Sequence, residues 1–431
     1  MSILEITTVL LLLASLFSII NLRVLKLPQT IGLMILAICL SVIVLLSGIF
    51  FPDFLSTVTS LTKSFDFSVL LIDVMLPFLL FAGALHADYS AIKTRRLTIG
   101  VMACVGTLIS TFTIGTMMWA LLIFFGLKVP FIWMLVFGAL ISPTDPVAVL
   151  GLFKTVKVPD TLQAKMAGES LFNDGFGIVL FTVLLAVASA SGYPESEIGT
   201  FDVIKLFITE AIGGAILGIV AGYLGYRAMY GITESSLEVL ITLALVMVTY
   251  ALALYLHMSG PIAMVVAGLF IGNSGVKYAM EEKTREYVII FWTLVDEILN
   301  SVLFLLIGLE VLIIAESGEF VGFALLAIPV TLFARTLSVA IPISILSYWE
   351  TFTKGAIPVL IWGGLRGGIA VALALSLPDS EYKDIIQHIS ELKGILESKT
   401  KRMEIIKEEL LEVKEKYGEE RRTEIIEDFT S

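Results

Sequence analysis

The sequence predicts an all-α polytopic membrane protein, and three observations carry that reading. Of 431 residues, 57% are hydrophobic and only 16% charged, which lies well outside the composition of soluble domains. The apolar residues gather into about a dozen runs of the roughly 20 residues that a helix needs to cross a bilayer. The basic residues between those runs sort onto alternate loops, as they do in membrane proteins.

The candidate spans lie near 3–21, 31–50, 67–86, 97–125, 130–153, 161–190, 203–227, 235–257, 260–273, 285–313, 319–347 and 353–377. The first has no basic leader and no small-residue cleavage site, so it reads as a retained helix and not a signal peptide. Cys39 and Cys104 fall inside spans as small packing residues, and no disulfide framework exists. The connections after the odd-numbered spans carry Arg23, Lys26, Lys93, Arg95, Arg96, Arg227, Lys277, Lys283 and Arg285 among others, whereas the intervening ones carry only Lys63, Lys128 and Lys205. That asymmetry puts the first group in the cytoplasm and the N-terminus outside the cell membrane.

The chain divides at about residue 380. Residues 1–380 form the membrane domain, and residues 381–431 a charged helical tail. From Asp379 onwards there are 15 acidic and 10 basic residues, with sparse apolar positions such as Leu392, Leu396, Met403, Ile406, Leu410 and Val413. This pattern predicts a water-soluble amphipathic helix, or one strand of a coiled coil.

Charges inside the spans are the functional signal. A charge at the bilayer centre costs roughly 2.5–3.5 kcal/mol, and Asp145, Glu169, Asp174, Arg335 and Arg366 all lie within predicted spans. They must face one another or a water-filled cavity. In "GESLFNDGFGIVLF", residues 168–181, Glu169 and Asn173 share one helical stripe, and Ser170 and Asp174 share the next, about 100° round. The Ser170 and Asp174 stripe is expected to face the interrupted span 139–151, and the Glu169 and Asn173 stripe another helix.

That interruption is written in "ALISPTDPVAVLG". Pro143 and Pro146 lack an N–H, and each biases its predecessor away from helix. Asp145 before Pro146 reads as the N-cap of a second half-helix. A second break is expected at "WGGLRGGIA", where Gly363, Gly364, Gly367 and Gly368 surround Arg366. In lipid, broken backbone survives only where it lines a cavity, and paired breaks in two halves of a chain point to a transporter's midplane site. Asp145 then neutralises positive half-helix ends and Arg366 negative ones.

The segments "SPTDPVAVL", "GESLFNDGFGIVLF", "LNSVLFLLIGL", "FARTLSV" and "GGLRGGIAVALAL", with "LPFLLFAGALHAD", closely resemble the NhaP-like sodium/proton exchanger branch of the cation:proton antiporters, over about residues 5–380. The resemblance implies an antiporter fold with inverted repeats, two crossed discontinuous helices and homodimers. It implies exchange of sodium, lithium or potassium for protons by alternating access. It also implies that Asp174, with Thr144, Asp145 and Ser170, binds the cation, that Glu169 and Arg335 form a structural ion pair, and that Asn173 marks electroneutral exchange. The hard sodium ion suits such oxygen ligands, and a partly desolvated carboxylate takes up a proton in competition with it. The arginine partner keeps Glu169 charged.

Other classes fit less well. No paired-aspartate, serine–histidine or HExxH constellation for an intramembrane protease is present, and the chain is expected to be a transporter and not an enzyme. The polar groups cluster at one depth and do not line a continuous channel. No cofactor is expected; sodium and protons are cargo. Asp296 and Asn300 read as helix–helix contacts, and Glu210 and Glu310 as interfacial. After "ALSLPDSEYKDII" the family pattern calls for one more span, and the charged tail stands in its place. The missing span is expected to uncover core surface beside the site and impair transport unless another chain covers the gap. Residues 403–425 resemble the coiled-coil arm of DNA gyrase A, which implies a fusion. The acidic tail does not imply nucleic-acid binding.

Overall fold

The computed structural model describes residues 3–48, 50–51, 53, 69–145, 160–190, 199–275, 280–309, 321–348, 356–362, 364, 368–378, 382–383, 386–387 and 389–390. The described residues are all-helical, without a strand. Among the described residues, eight helices are long and apolar enough to cross a membrane: Thr7–Leu25, Gln29–Ser47, Arg96–Phe124, Lys165–Ala190, Thr200–Met229, Ser235–Tyr255, Thr284–Leu309 and Gly322–Leu346. Shorter apolar helices cover Leu70–His86, Phe131–Ile141 and Gly260–Asn273. Where unbroken spans would run at 130–153 and 353–377, the helices stop short, at Ile141 and at Trp362, with a separate piece at Gly368–Leu375.

In chain order, the helices that position the site are α1 (Leu76–His86), α2 (Thr107–Phe124), α3 (Phe131–Ile141), α4 (Asp160–Ala190), α5 (Ser235–Tyr255), α6 (Glu282–Leu309), α7 (Val321–Leu346), α8 (Ala356–Trp362) and α9 (Gly368–Leu375). The largest buried cluster joins Phe81 of α1, Met134 and Phe137 of α3 and Trp292 of α6. A second joins Leu33, Met34 and Ala37 to Val302–Ile307 of α6. The third packs Leu162 and Met166 of α4 against Val339 and Ile343 of α7 and Leu360 of α8. It therefore fixes the three helices that meet at the buried charges.

Wide turns interrupt several spans, at Leu70–Met75, Met102–Gly106 and Thr209–Gly213. The first has a local cause. Pro77 has no N–H to give to the preceding turn, and the Tyr250 hydroxyl of α5 donates to the Ile72 carbonyl at 2.8 Å. An interhelical bond thereby meets a carbonyl that Pro77 cannot serve.

The polar tail is expected to begin at 381, yet its described residues pack inward. Ile386 and Ile389 belong to the largest cluster, and the Tyr382 ring lies 5.7 Å from that of Trp133. Residues 391–431, where a coiled coil and a gyrase-like stretch are expected, lie outside the described residues.

Candidate functional site

The site is built on α4. Glu169, Ser170, Asn173 and Asp174 occupy successive turns, and with Thr144 and Arg335 none is more than 9% exposed. Polar side chains this deeply enclosed need partners, because an unmet polar group in an apolar interior is costly. Five of the six find them in one another or in nearby backbone.

Glu169 is met by Arg335 of α7, with Nη1 2.6 Å from Oε1. The rest of the guanidinium turns to α8, where Nε and Nη2 donate to the Leu360 carbonyl at 3.3 and 2.9 Å. Leu360 lies in the last turn of α8, the negative end of a helix that stops at Trp362. One planar fork therefore joins α4, α7 and the broken span. Gly364 makes room for it: a Cβ at that position would run into Arg335 Nε.

The expected pairing of Glu169 with Arg335 is thus present in the geometry, and Arg335 also meets the end of α8 at the Leu360 carbonyl. Arg366 itself, with Gly363 and Gly367, lies outside the described residues.

The other break begins after α3. Ser142 closes the helix, its N–H and hydroxyl both donating to the Gly138 carbonyl, at 3.0 and 2.7 Å. Thr111 of α2 donates to the Ser142 hydroxyl at 3.0 Å. Residues 143–145 then run without helix, and α4 takes over their backbone groups. Ser170 Oγ donates to the Thr144 carbonyl at 2.6 Å. Asn173 Nδ2 donates to Thr144 Oγ1 at 2.9 Å, and Asn173 Oδ1 accepts from the Thr144 N–H at 3.4 Å. Gly177, one turn further on, lets Pro143 come so close that any Cβ would overlap its ring.

This corrects the helical-wheel expectation for Asn173. Both stripes meet the break: Ser170 from one, Asn173 from the other. Only Glu169 is left to face a different helix. Thr144 sits where the two stripes converge, and α4 clamps it through its N–H, its carbonyl and its hydroxyl.

Asp174 differs from Glu169 in kind. It makes no hydrogen bond and no ion pair among the described residues, while Asp145, half-buried in the break, lies within its electrostatic reach. The Ser170 hydroxyl proton is committed to Thr144, so its oxygen presents lone pairs. The arrangement offers the Asp174 carboxyl group and neutral oxygens to a small hard cation or to a proton. Sequence reasoning missed the Leu360 carbonyl and the double hold of Asn173 on Thr144. A run of glycines following a short helix was the available signal for the first.

Residues 10–400 match the family described as sodium/hydrogen exchanger, transmembrane. The chain is 45% identical over 379 residues to the Na(+)/H(+) antiporter NhaP of Pseudomonas aeruginosa, covering 87% of this chain and 88% of that protein. It is 35% identical over 375 residues to the Na(+)/H(+) antiporter NhaH of Halobacillus dabanensis, covering 86% and 88%. In fold it is similar to the sodium proton antiporter MjNhaP1 of Methanocaldococcus jannaschii at pH 8, with a TM-score of 0.70 at 20% identity, covering 92% of this chain and 94% of the other.

Proposed function

This chain belongs to the sodium/hydrogen exchanger family, and we propose that the site around Asp174 performs the family's reaction, exchange of sodium for protons by alternating access. The chain is a membrane transporter, and its reaction makes and breaks no covalent bond to carbon.

One contrast carries the reading. Glu169 is neutralised by Arg335 at 2.6 Å, whereas Asp174, one turn away and equally enclosed, has no hydrogen-bond or ion-pair partner among the described residues. A buried carboxylate without a fixed counter-ion needs a mobile one. Sodium held by Asp174, Asp145, Thr144 and Ser170 fills that need, and so does a proton on Asp174. Both cannot occupy the same oxygens, so binding one releases the other. The asparagine at 173 adds no charge, and the cycle moves one cation against one proton without net charge.

The paired breaks supply the second requirement, a site whose lining can change sides. Thr144 is held by side chains of α4 and not by a continuous helix, and the end of α8 by Arg335. These contacts let the two interrupted spans move with α4 as one body, carrying the ion. We place the basic loops in the cytoplasm with the N-terminus outside, take the working form to be a homodimer, and assign no role in exchange to residues 391–431.

The test is flux in proteoliposomes, with proton movement read by a pH dye as sodium, lithium or potassium is added. Sodium-driven proton movement in the native chain and its loss in Asp174→Asn are expected. Undiminished flux in that variant would overturn the assignment.

A further inference from the structure

Glu238 has no part in the exchange scheme, yet no carboxyl group among the described residues is more completely closed in. It stands in the first turn of α5 and is 0% exposed. Neither of its side-chain oxygens has a hydrogen-bond partner among the described residues. A bare carboxylate sealed in this way is expensive, and a buried group left unmet calls for an explanation.

The carboxyl group is enclosed where α5 and α6 begin side by side. One turn further along α5, the buried Thr242 accepts from Trp292 Nε1 of α6 at 3.0 Å and donates to the Val239 carbonyl at 2.8 Å. Facing Glu238 from the first turn of α6 is Thr284, itself buried. The Thr284 hydroxyl donates to the Glu281 carbonyl at 3.1 Å, so its oxygen has only lone pairs left to offer. A carboxylate also only accepts. Two acceptors therefore face each other in a place that water does not reach.

The described charged groups at this end are exposed and leave Glu238 without a counter-ion. Glu281, whose field reaches it, has the same sign. Glu234, one turn earlier on α5, is exposed, as are Arg285 and Glu286 on α6. The helix Thr200–Met229, which packs on α5 through Gly225 and Leu245, brings the buried Met229 to this end. Its Arg227 is exposed and lies 5.9 Å from the centre of the Tyr230 ring.

We propose that Glu238 is a resident proton-binding site: it holds a proton that the exchange cycle does not carry, donates it to Thr284 Oγ1, and so fastens the first turn of α5 to that of α6. A proton is the ligand these surroundings suit. A hard metal cation takes roughly six or more oxygens, more than Glu238 and Thr284 bring together. The first turns of two helices favour a negative charge, so the proton can be given up. When it leaves, a bare charge is trapped between α5 and α6, and their first turns part to admit water. The fastening is complete at low pH and is lost as pH rises.

The test compares the full-length chain with Glu238→Gln in detergent without sodium. The amide keeps the shape of the protonated acid and can donate to Thr284 at every pH. Thermal unfolding is followed from mildly acid to alkaline pH. The two proteins should melt alike at the acid end, and the native chain should fall several degrees below the variant at the alkaline end. Hydrogen exchange locates the change: amides of 238–242 and 284–288 should lose protection with rising pH relative to those of α7 in the native chain, and not in the variant. Parallel melting curves across pH overturn the proposal. So does a Gln variant that melts lower at every pH or fails to fold, since either outcome means that the ionised carboxylate is held by a positive partner. Protection of the two segments that tracks α7 at every pH overturns it on the native chain alone. None of these measurements involves sodium-driven flux, so their failure leaves the exchange reading untouched.

Discussion

Arg335 holds Glu169 and the Leu360 carbonyl with the same guanidinium, at 2.6 Å on one side and 2.9 Å on the other. The two contacts predict an asymmetric mutant cycle. Removing either charge leaves its partner buried and uncompensated, at roughly 3–5 kcal/mol. Arg335→Met also orphans the carbonyl, at a further ~1–3 kcal/mol, so it should melt at a lower temperature than Glu169→Leu. The double variant should recover the charge penalty but not the carbonyl penalty. Thermal unfolding in detergent measures the cycle, and additive losses would show that the two side chains are independent.

Competition at Asp174 sets the acid limb of transport. If proton and sodium exclude each other there, apparent KM for sodium should rise as pH falls, approaching about tenfold per pH unit, the limit for one proton displacing one cation. Maximal rate at saturating sodium should change much less. A KM that stays flat across the acid limb would mean that the proton binds elsewhere.

Much of this was legible in the sequence, for physical reasons that can be named. Hydrocarbon tolerates so few charges that Glu169, Asp174 and Arg335 stand out in any reading of the spans. Pro143 announced a break because a missing N–H is a covalent fact. The partner of Glu169 was a different matter: 166 residues separate it from Arg335, and only the family resemblance joined them. Leu360 was invisible because it acts through its carbonyl, which every residue possesses. Asn173 was assigned to the wrong neighbour because the wheel argument treats the facing element as a straight helix. A broken span curls, and at Thr144 it reaches both stripes.

Asn173 therefore has a testable structural duty. Asn173→Ala removes a donor to Thr144 Oγ1 and an acceptor for the Thr144 N–H, leaving buried groups unmet at about 1–3 kcal/mol each. Asn173→Asp keeps the acceptor, and the Thr144 hydroxyl can turn to donate to it. The alanine variant should lose more thermal stability than the aspartate one. The reverse order would mean that the added charge outweighs the clamp.

Two glycines set how closely the helices approach. Gly364→Ala drives a methyl into Arg335 and Gly177→Ala drives one into Pro143. Each should cost about 1–3 kcal/mol, the usual penalty for overpacking, and should lower transport. Gly100→Ala is the control, since nothing lies within 4 Å of the added carbon and alanine is the better helix former. Equal losses at all three positions would mean that close packing at the two breaks is not what the glycines provide.

The boundary between membrane domain and tail yields the last prediction. Ile386 and Ile389 are 0% and 1% exposed, inside the cluster that also holds Trp133 and Phe137. Burying one such side chain contributes about 1.5–3 kcal/mol, so the turns after Tyr382 should stabilise the membrane domain by several kcal/mol. A chain ended after Ser390 should keep the thermal stability of the whole. A chain ended after Pro378 should lose those contacts together with the Tyr382–Trp133 ring pair, and should unfold at a clearly lower temperature. The double variant Ile386→Asn/Ile389→Asn tests the same contacts without a cut, and should fall between them. If the chain ended after Pro378 unfolds at the temperature of the whole, the burial of these residues adds nothing to the fold.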